Sequence, residues 1–246
     1  MIELKRLAEF QRHLSVYQPS DKAKRVLRNI QMVVLSGIAG GGRNTIINHL
    51  VATGRYDFVV SDTTRPPKVR DGKLEQNGVH YFFRSEADML ADLHAGVFLE
   101  AEIIHQQQVS GTSIRELERI HKNHKIAALE VEYGGANNIA KTSPNAYMIG
   151  VLPPSFAEWQ RRWQGREQQS LQEFNNRMRT AEKVLGNLLD KPYFTLVIND
   201  SLEQCVQDIR NIVETGTYSP SKVAAARTVA TQLYLATKAY LEQPKV

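Results

Sequence analysis

Short apolar runs alternate with amphipathic stretches along the chain of 246 residues. Buried strands are predicted at 30–35, 58–60, 81–83, 98–99, 126–131, 147–152 and 194–198. Helical spacing of apolar residues predicts helices at 2–17, 21–28, 45–51, 171–189 and 202–213. Strands alternating with helices are typical of a mostly parallel sheet with helices on both faces, so the predicted fold class is α/β.

Local signals refine this pattern. Ser85, Ser113 and Ser155 each precede an acidic residue by three positions, which predicts capped helix starts. Residues 62–78 are polar, contain prolines and glycines, and are predicted to form a loop. An Ala-rich helical run follows Ser219 and Pro220 and is predicted to be an appended helix. The pattern favours packing on its own domain, and packing on a partner is the open alternative.

Composition favours one compact domain with appendages, since 42% of the residues are hydrophobic. No apolar run approaches the ~18 residues that span a bilayer, and the first residues mix charged and apolar side chains. The single cysteine, Cys205, agrees with a reducing compartment and is predicted to be buried. We therefore expect a cytoplasmic protein without a signal peptide.

The net charge of +5 is compatible with nucleic acid, a membrane surface or a small anionic ligand. The chain has no basic tail and no basic run interleaved with aromatic residues, which argues against nucleic acid. Its arginines instead recur beside predicted strands, where the ends of an α/β sheet bring them together. This distribution favours a phosphorylated small molecule.

The segment from Gly37 to Thr45 has the strand, glycine-rich turn and helix start that bind phosphate through backbone N–H groups. Gly37 and Gly42 have the spacing of the G-x-x-x-x-G-K-[ST] template. Arg43 replaces the lysine, keeping the charge but with a longer, planar group. Asn44 replaces the Ser or Thr whose hydroxyl binds Mg²⁺, although its amide oxygen is also a hard ligand.

Eight ordered segments resemble the conserved blocks of guanylate kinases over residues 32–214. They come in addition to the loop at 37–45 and are Ser61-Asp62-Thr63-Thr64-Arg65-Pro66-Pro67-Lys68, Glu75 to Phe83, Phe98-Leu99-Glu100, Gly111-Thr112-Ser113, Leu129 to Glu132, Leu152-Pro153-Pro154-Ser155, Arg162-Trp163-Gln164-Gly165-Arg166, and Val197-Ile198-Asn199-Asp200. The resemblance implies a P-loop NTPase fold with a small nucleotide-monophosphate-binding subdomain and a lid.

The resemblance also implies a GMP site. Arg65, Tyr81 and Lys68 correspond to the residues that hold the phosphate, with Lys68 in the place of a second arginine. The residues that face guanine correspond to Ser61, Glu100, Gly111, Thr112 and Glu132. Guanine offers two N–H donors to a carboxylate such as Glu100, which adenine does not. Glu132 replaces an aspartate, and Ser110 replaces a tyrosine that contacts phosphate.

By the same resemblance, ATP with Mg²⁺ binds at Gly37, Gly40, Gly41, Gly42, Arg43, Asn44, Thr45 and Asn199, with Asn44 as the candidate metal ligand. The implied catalytic cations are Arg43 and the lid arginines Arg162, Arg166 and Arg177. Arginines that arrive on closure neutralise the charge of phosphoryl transfer. The expected domains are an N-terminal extension at 1–30, a guanylate-kinase-like domain at 31–216 with its subdomain at 61–124 and lid at 161–179, and a C-terminal extension at 217–246.

The activity so implied is ATP-dependent conversion of GMP to GDP, slowed by the altered loop, with use of dGMP left open. One alternative is a non-catalytic module that binds a phosphorylated peptide or nucleotide. Another is a kinase for a different phosphorylated sugar or nucleotide. A monomer and a homodimer are both compatible with the sequence, the C-terminal helix being a candidate interface.

Overall fold

The computed structural model describes residues 4–70, 72–104, 106–164 and 171–243. The helices are α1 (Leu7–Ser15), α2 (Asp21–Leu27), α3 (Arg43–Ala52), α4 (Glu86–His94), α5 (Ile114–Lys122), α6 (Tyr133–Thr142), α7 (Phe156–Gln164), α8 (Leu171–Asp190), α9 (Leu202–Arg210) and α10 (Pro220–Glu242). The strands are β1 (Met32–Gly37), β2 (Tyr56–Phe58), β3 (Asp62–Thr63), β4 (Val69–Arg70), β5 (Lys73–Leu74), β6 (Phe82–Phe83), β7 (Phe98–Ile104), β8 (Gln108–Ser113), β9 (Ile126–Glu130), β10 (Ala146–Leu152) and β11 (Thr195–Ile198).

The larger sheet has five strands in the order β11-β10-β1-β9-β2. Every residue of its central strand β1 is buried, because neighbouring strands and helices cover both faces. Strands β10 and β11 run parallel, with Ile149 opposite Thr195 and Leu152 opposite Ile198. The order is not the chain order, so the connections cross over through helices.

A second sheet has four strands in the order β6-β3-β8-β7. Strands β7 and β8 are antiparallel and place Glu100 directly opposite Thr112, after a register shift between Phe98 and Glu100. Strand β3 pairs with β8 through Asp62 and Gly111. Strands β4 and β5 form a separate antiparallel hairpin.

The chain divides into two compact units. The first comprises Met1–Met32, Asp57–Ala127 and Asn137–Ala146. The second comprises Val33–Tyr56, Ala128–Ala136 and Tyr147–Val246. The four-stranded sheet lies within the first unit, and the glycine-rich turn after β1 lies within the second.

The N-terminal extension packs within the first unit. Phe10 of α1 is fully buried in a cluster that includes Met89 and Phe98. The Tyr17 hydroxyl donates to the Phe98 carbonyl at 2.8 Å and accepts from the Phe98 N–H at 2.9 Å. The Ser20 N–H donates to the Gly96 carbonyl at 2.9 Å. These contacts fasten the extension to the start of β7.

The C-terminal extension packs within the second unit, as predicted. Helix α10 contacts α8, β11 and α7, and buries Ala226, Ala230, Leu233 and Thr237. Small residues allow α10 to approach its neighbours closely. In the part of the chain that the structure describes, no helix is long and apolar enough to cross a membrane.

Several predicted boundaries are wrong. The first helix begins at Leu7, not at residue 2, and the helix after the glycine-rich turn begins at Arg43, two residues before the predicted start. The predicted loop at 62–78 contains β3 and the β4–β5 hairpin. The sequence also failed to predict β8, because its Ser-Gly-Thr-Ser stretch has weak strand propensity and its partner β7 supplies the pairing.

Candidate functional site

In the first unit, Glu100 and Thr112 form a buried polar pair on adjacent strands. The Thr112 hydroxyl donates to Glu100 Oε1 at 2.8 Å, and the two residues are 8% and 1% exposed. Burial raises the pKa of Glu100 to about 7, outweighing the hydrogen bond from Thr112, which lowers it. A Cβ at Gly111 would lie 2.9 Å from the Glu100 carbonyl oxygen, so a glycine there lets the strands approach. The pair thus provides a rigid hydrogen-bond acceptor, and the Glu100 carboxyl gains or loses its proton near neutral pH.

Arg65 lies in the same unit and is held by a buried ion pair. Its Nη1 and Nη2 atoms donate to the Glu75 carboxylate at 2.5 and 3.0 Å. The two side chains are 7% and 0% exposed. The Arg65 guanidinium also lies 4.6 Å from the centroid of the Tyr81 ring. Hydrogen bonds from Arg65 to Glu75 raise the pKa of Arg65 further, so this cation is permanent.

The remaining members of this predicted set are less buried. Ser61 is half-buried, and its carbonyl accepts from the Phe82 N–H at 2.9 Å. The Lys68 side chain is exposed, while its backbone N–H donates to Glu75 Oε2 at 3.0 Å. Sequence reasoning missed Glu75, which holds Arg65 and the Lys68 backbone together. The sequence did contain a signal for Glu75, because it is the first residue of the Glu75–Phe83 segment that resembles the family.

In the second unit, the turn between β1 and α3 has the backbone form that binds anions. Gly40 and Gly42 have φ values of 85° and 93°, in the left-handed region that favours glycine. Gly42 is the N-cap of α3, with no side-chain cap. A Cβ at Gly42 would lie 2.3 Å from the Asn199 amide nitrogen, so only glycine fits there. The N–H groups at the helix start are therefore available to a phosphate.

Three side chains hold the backbone of this turn from outside. Asn199 Nδ2 donates to the Gly41 carbonyl at 2.8 Å. The indole nitrogens of Trp159 and Trp163 both donate to the Ala39 carbonyl, at 2.8 and 3.1 Å. Both tryptophans are buried, as the sequence predicted, but their hydrogen bonds to the turn were not foreseen.

The two altered positions of the turn contact a shared carboxylate. Arg43 Nε lies 3.7 Å from Glu130 Oε2, and Arg43 Nη2 lies 4.0 Å from Glu132 Oε1. Arg43 Nη1 donates to the Val131 carbonyl at 3.4 Å, and the arginine side chain is 14% exposed. The Asn44 amide nitrogen, in the orientation that suits its neighbours, donates to both Glu130 oxygens at 2.8 and 2.9 Å.

Glu130 was therefore missed as a site residue, although an acidic residue at the end of a buried strand was a signal. Glu132 lies beside the same guanidinium and is exposed. Thr45 is exposed on α3. Within the described ranges, no group of three or more His, Cys, Asp or Glu residues has the arrangement to hold a metal ion unaided.

Two of the predicted lid arginines lie near the turn, and Arg166 lies outside the described residues. Arg162 Nη2 donates to the Asn199 carbonyl at 2.9 Å and Arg162 Nε to Glu158 at 2.8 Å. Hydrogen bonds from Arg161 and Arg162 lower the pKa of Glu158 to about 2. The Arg177 guanidinium lies 4.5 Å from the centre of the Trp163 ring.

Several protein families have a glycine-rich phosphate-binding turn, and comparison with family models identifies the family of this chain. The family model described as Guanylate kinase matches residues 29–216. This chain belongs to the guanylate kinase family. The matched range contains both the Glu100–Thr112 pair and the glycine-rich turn, and it excludes most of the N-terminal extension and all of α10.

Curated guanylate kinases are similar over about three quarters of this chain. Guanylate kinase from Porphyromonas gingivalis (strain ATCC BAA-308 / W83) is 32% identical over 188 residues, which are 74% of this chain and 96% of that protein. Guanylate kinase 1 from Arabidopsis thaliana is 32% identical over 184 residues, again 74% of this chain. The chain spans about half the length of the plant relatives that it matches, 46% for the Arabidopsis protein and 47% for guanylate kinase 1 from Oryza sativa subsp. japonica.

A solved guanylate kinase has the same fold. The crystal structure of guanylate kinase from Anaplasma phagocytophilum matches with a TM-score of 0.56 and 21% identity. The match covers 78% of this chain and 89% of that chain. The predicted α/β fold of the P-loop NTPase type, with a mostly parallel sheet, is confirmed.

Proposed function

We propose that this guanylate kinase family member transfers a phosphoryl group from ATP to GMP. The observation that carries the proposal is the buried carboxylate of Glu100, oriented by Thr112 on the neighbouring strand. A fixed carboxylate accepts from N1–H and N2–H of guanine together, and adenine has no such donor pair. Buried acids with raised pKa values, such as Glu100 at about 7, cluster at functional sites.

The other roles follow the family pattern. Arg65 beside Tyr81 provides a buried cation for the phosphate of GMP, and Lys68 adds an exposed one. Ser61, Gly111 and Glu132 complete the proposed GMP set. The backbone N–H groups after Gly40 bind the ATP phosphates, and Asn199 lies next to the nucleotide while it holds the Gly41 carbonyl.

In the proposed reaction, arginines neutralise the negative charge of the transferred phosphoryl group. Arg162 and Arg177 are fixed by hydrogen bonds and by the Trp163 ring, and Arg166 completes the proposed lid. Transfer of a phosphoryl group is mainly positioning plus neutralisation of spread negative charge. Arg43 is held among Glu130, Glu132 and the Val131 carbonyl, in a position that a shorter lysine ammonium would not occupy. We therefore propose that turnover is slower than in guanylate kinases whose turn is built around a lysine, and that in this chain, whose turn is fitted to Arg43, a lysine does not restore it.

The donor set at the turn fits Mg²⁺ brought in with ATP. The Asn44 nitrogen is bonded to Glu130, so its amide oxygen faces away from that carboxylate and is a hard oxygen ligand. Glu130 thereby fixes the orientation of the ligand. When bound, the ion neutralises phosphate charge. A cytoplasmic location, a monomer or a homodimer, and use of dGMP stay predictions.

A second function is a non-catalytic module that binds a phosphorylated peptide or nucleotide. Two features favour the module: Arg43 is ion-paired with Glu130, and position 44 lacks a hydroxyl. Both changes alter groups that promote phosphoryl transfer. The buried acid at Glu100 argues against a peptide, which offers no guanine edge.

The deciding experiment is a coupled assay of ADP release with ATP, Mg²⁺ and a panel of GMP, dGMP, AMP, UMP and CMP. We expect turnover with GMP. Glu100→Gln should weaken GMP binding by about 1–3 kcal/mol in calorimetry because it opposes a donor to a donor, and should leave ATP binding unchanged. Glu118→Gln on α5 is the control for losing one charge. Unchanged GMP affinity in Glu100→Gln would overturn the assignment, and GMP binding without ADP release would favour the module.

A further inference from the structure

A chain of aromatic contacts connects the C-terminal helix with the phosphate-binding turn inside the second unit. The Tyr240 ring of α10 meets the Phe174 ring of α8 edge to face, with centroids 5.4 Å apart at 88°. Phe174 meets the Trp163 ring of α7 at 6.2 Å and 78°. The Trp163 indole then donates to the Ala39 carbonyl of the turn.

Each of these contacts has a defined geometry. Edge-to-face ring pairs at these separations are favourable beyond their apolar area, and they fix the orientation of both rings. Trp163 is 6% exposed, and the Arg177 guanidinium lies 4.5 Å from the centroid of its ring. The indole ring therefore has little freedom to turn away from the Ala39 carbonyl.

The turn responds to the position of that ring because the two are in close contact. A Cβ placed on Gly40 would lie 3.0 Å from the Trp163 indole nitrogen. The next N–H groups along the turn, from Gly40 onward, are those that the proposed function assigns to phosphate. A displacement of Trp163 therefore moves the groups that bind ATP.

One end of the contact chain lies outside the range that the family model matches. Helix α10 lies beyond residue 216, the last residue of that range. At the other end, the indole of Trp163 supplies the N–H that bonds the turn. A leucine at that position has no hydrogen bond to offer the Ala39 carbonyl.

We propose that α10 positions the phosphate-binding turn for ATP through Tyr240, Phe174 and Trp163. Trp163 and Tyr240 are positioning residues that touch neither substrate. The proposal rests on the proposed ATP site at this turn. It gives the C-terminal extension a role in the ATP half of the reaction and none in GMP binding.

The test uses the full chain with Trp163→Phe, Trp163→Leu and Tyr240→Ala, and with Leu235→Ala as the matched control on the exposed side of α10. Trp163→Phe keeps a ring but loses the N–H, so KM for ATP should rise about fivefold. Tyr240→Ala loses one ring pair, so the rise should be about twofold. KM for GMP should stay constant in all four variants, and Leu235→Ala should match the parent in both constants.

Hydrogen exchange of the peptide spanning residues 38–45, without nucleotide, gives a second measurement that does not depend on turnover. Exchange should be faster in Trp163→Leu and Tyr240→Ala than in the parent and in Leu235→Ala. In the Trp163→Leu background, adding Tyr240→Ala should change neither exchange nor KM for ATP, since the connection is already broken.

The outcomes separate the two proposals. Faster exchange in a protein that neither binds ATP nor releases ADP supports the connection and overturns the proposed function. ATP binding by the parent with unchanged KM and exchange in every variant overturns the connection alone. Additive effects in the double variant, or an equal rise in KM for GMP, would also overturn it, because they indicate general loosening of the core.

Discussion

The first unit, with the proposed GMP site, and the second unit, with the phosphate-binding turn, present different chemical groups for recognition. In the first unit, the predicted contacts belong to side chains fixed on strands or in a buried ion pair, such as Glu100 and Arg65. In the second unit, the predicted contacts belong mainly to backbone N–H groups of the turn, and neighbouring side chains such as Asn199 and Trp159 hold that backbone.

This difference bears on which side chains can change. In the proposed GMP site the base edge is recognised by one carboxylate in one place, so we expect no adequate substitute for Glu100. A phosphate held by backbone N–H groups depends on φ angles, which Gly40 and Gly42 preserve. The side chains at positions 43 and 44 depart from the phosphate-loop template while the glycines that shape the turn remain. Backbone recognition therefore tolerates both changes, whereas in the first unit the changes, at Lys68 and Ser110, concern phosphate contacts and the base-facing Glu100 is kept.

The strongest test of the rigid first half is to break its buried ion pair. Glu75→Ala leaves the Arg65 cation buried without its carboxylate, so the free energy of unfolding should fall by about 3–5 kcal/mol. Urea unfolding followed by circular dichroism measures this change. Asp190→Ala, which removes an exposed ion pair with Lys191, is the matched control and should have no measurable effect. Equal effects of the two substitutions would show that the Arg65–Glu75 pair is not structurally special.

The second half is tested by restoring the template residues. Arg43→Lys with Asn44→Ser removes a guanidinium fitted among Glu130, Glu132 and the Val131 carbonyl, and kcat/KM should fall about tenfold. Steady-state ADP release with GMP, ATP and Mg²⁺ measures it, and Asn48→Ser on the exposed side of α3 is the control. An inactive parent with a robustly active double variant would show instead that the turn is a degraded one.

The pH dependence of GMP binding sharpens the comparison further. Glu100 must be ionised to accept two donors, and its pKa is about 7, so GMP affinity should rise about tenfold between pH 6 and pH 8. ATP affinity should not follow this curve. Calorimetry of Glu100→Gln over the same range is the control, because it retains the titration of the phosphate near pH 6. A parent curve that parallels the variant would contradict the raised pKa.

The same titration acts on stability with a defined sign. In the native protein the pKa of Glu100 is about 7, whereas in the unfolded chain the carboxyl releases its proton near its ordinary pKa of 4.5. Stability from this group is therefore complete below about pH 4.5 and is lost as the pH rises through 7. Glu100→Gln should be relatively more stable at pH 8 than at pH 5.

The fold was largely predictable because its strongest signals are local. The apolar run of β1 and the glycines after it predicted a strand, a turn and a helix without any knowledge of neighbours. Strand β8 escaped prediction because its pairing with β7, and not its own residues, makes it a strand. The buried state of Glu100 was likewise a property of two paired strands, although the resemblance had identified the residue.

The contacts that hold the site were harder to predict because they join distant residues. Glu75 lies ten positions from Arg65, and Trp163 lies 124 positions from Ala39. Periodicity identified Trp159 and Trp163 as core residues, which is correct, but it carries no information about where an indole N–H points. Glu130 was missed for the same reason, since a carboxylate at a strand end has no local partner.

The Tyr17 hydroxyl has a consequence for the behaviour of the folded protein in concentrated solution. Strand β7 is the outer strand of its sheet, and an outer strand offers free N–H and C=O groups to the strands of other molecules. Tyr17 occupies both groups of Phe98 at once, at the point where the strand begins. We therefore expect the N-terminal extension to hinder pairing of this strand edge with the edges of other molecules at Phe98.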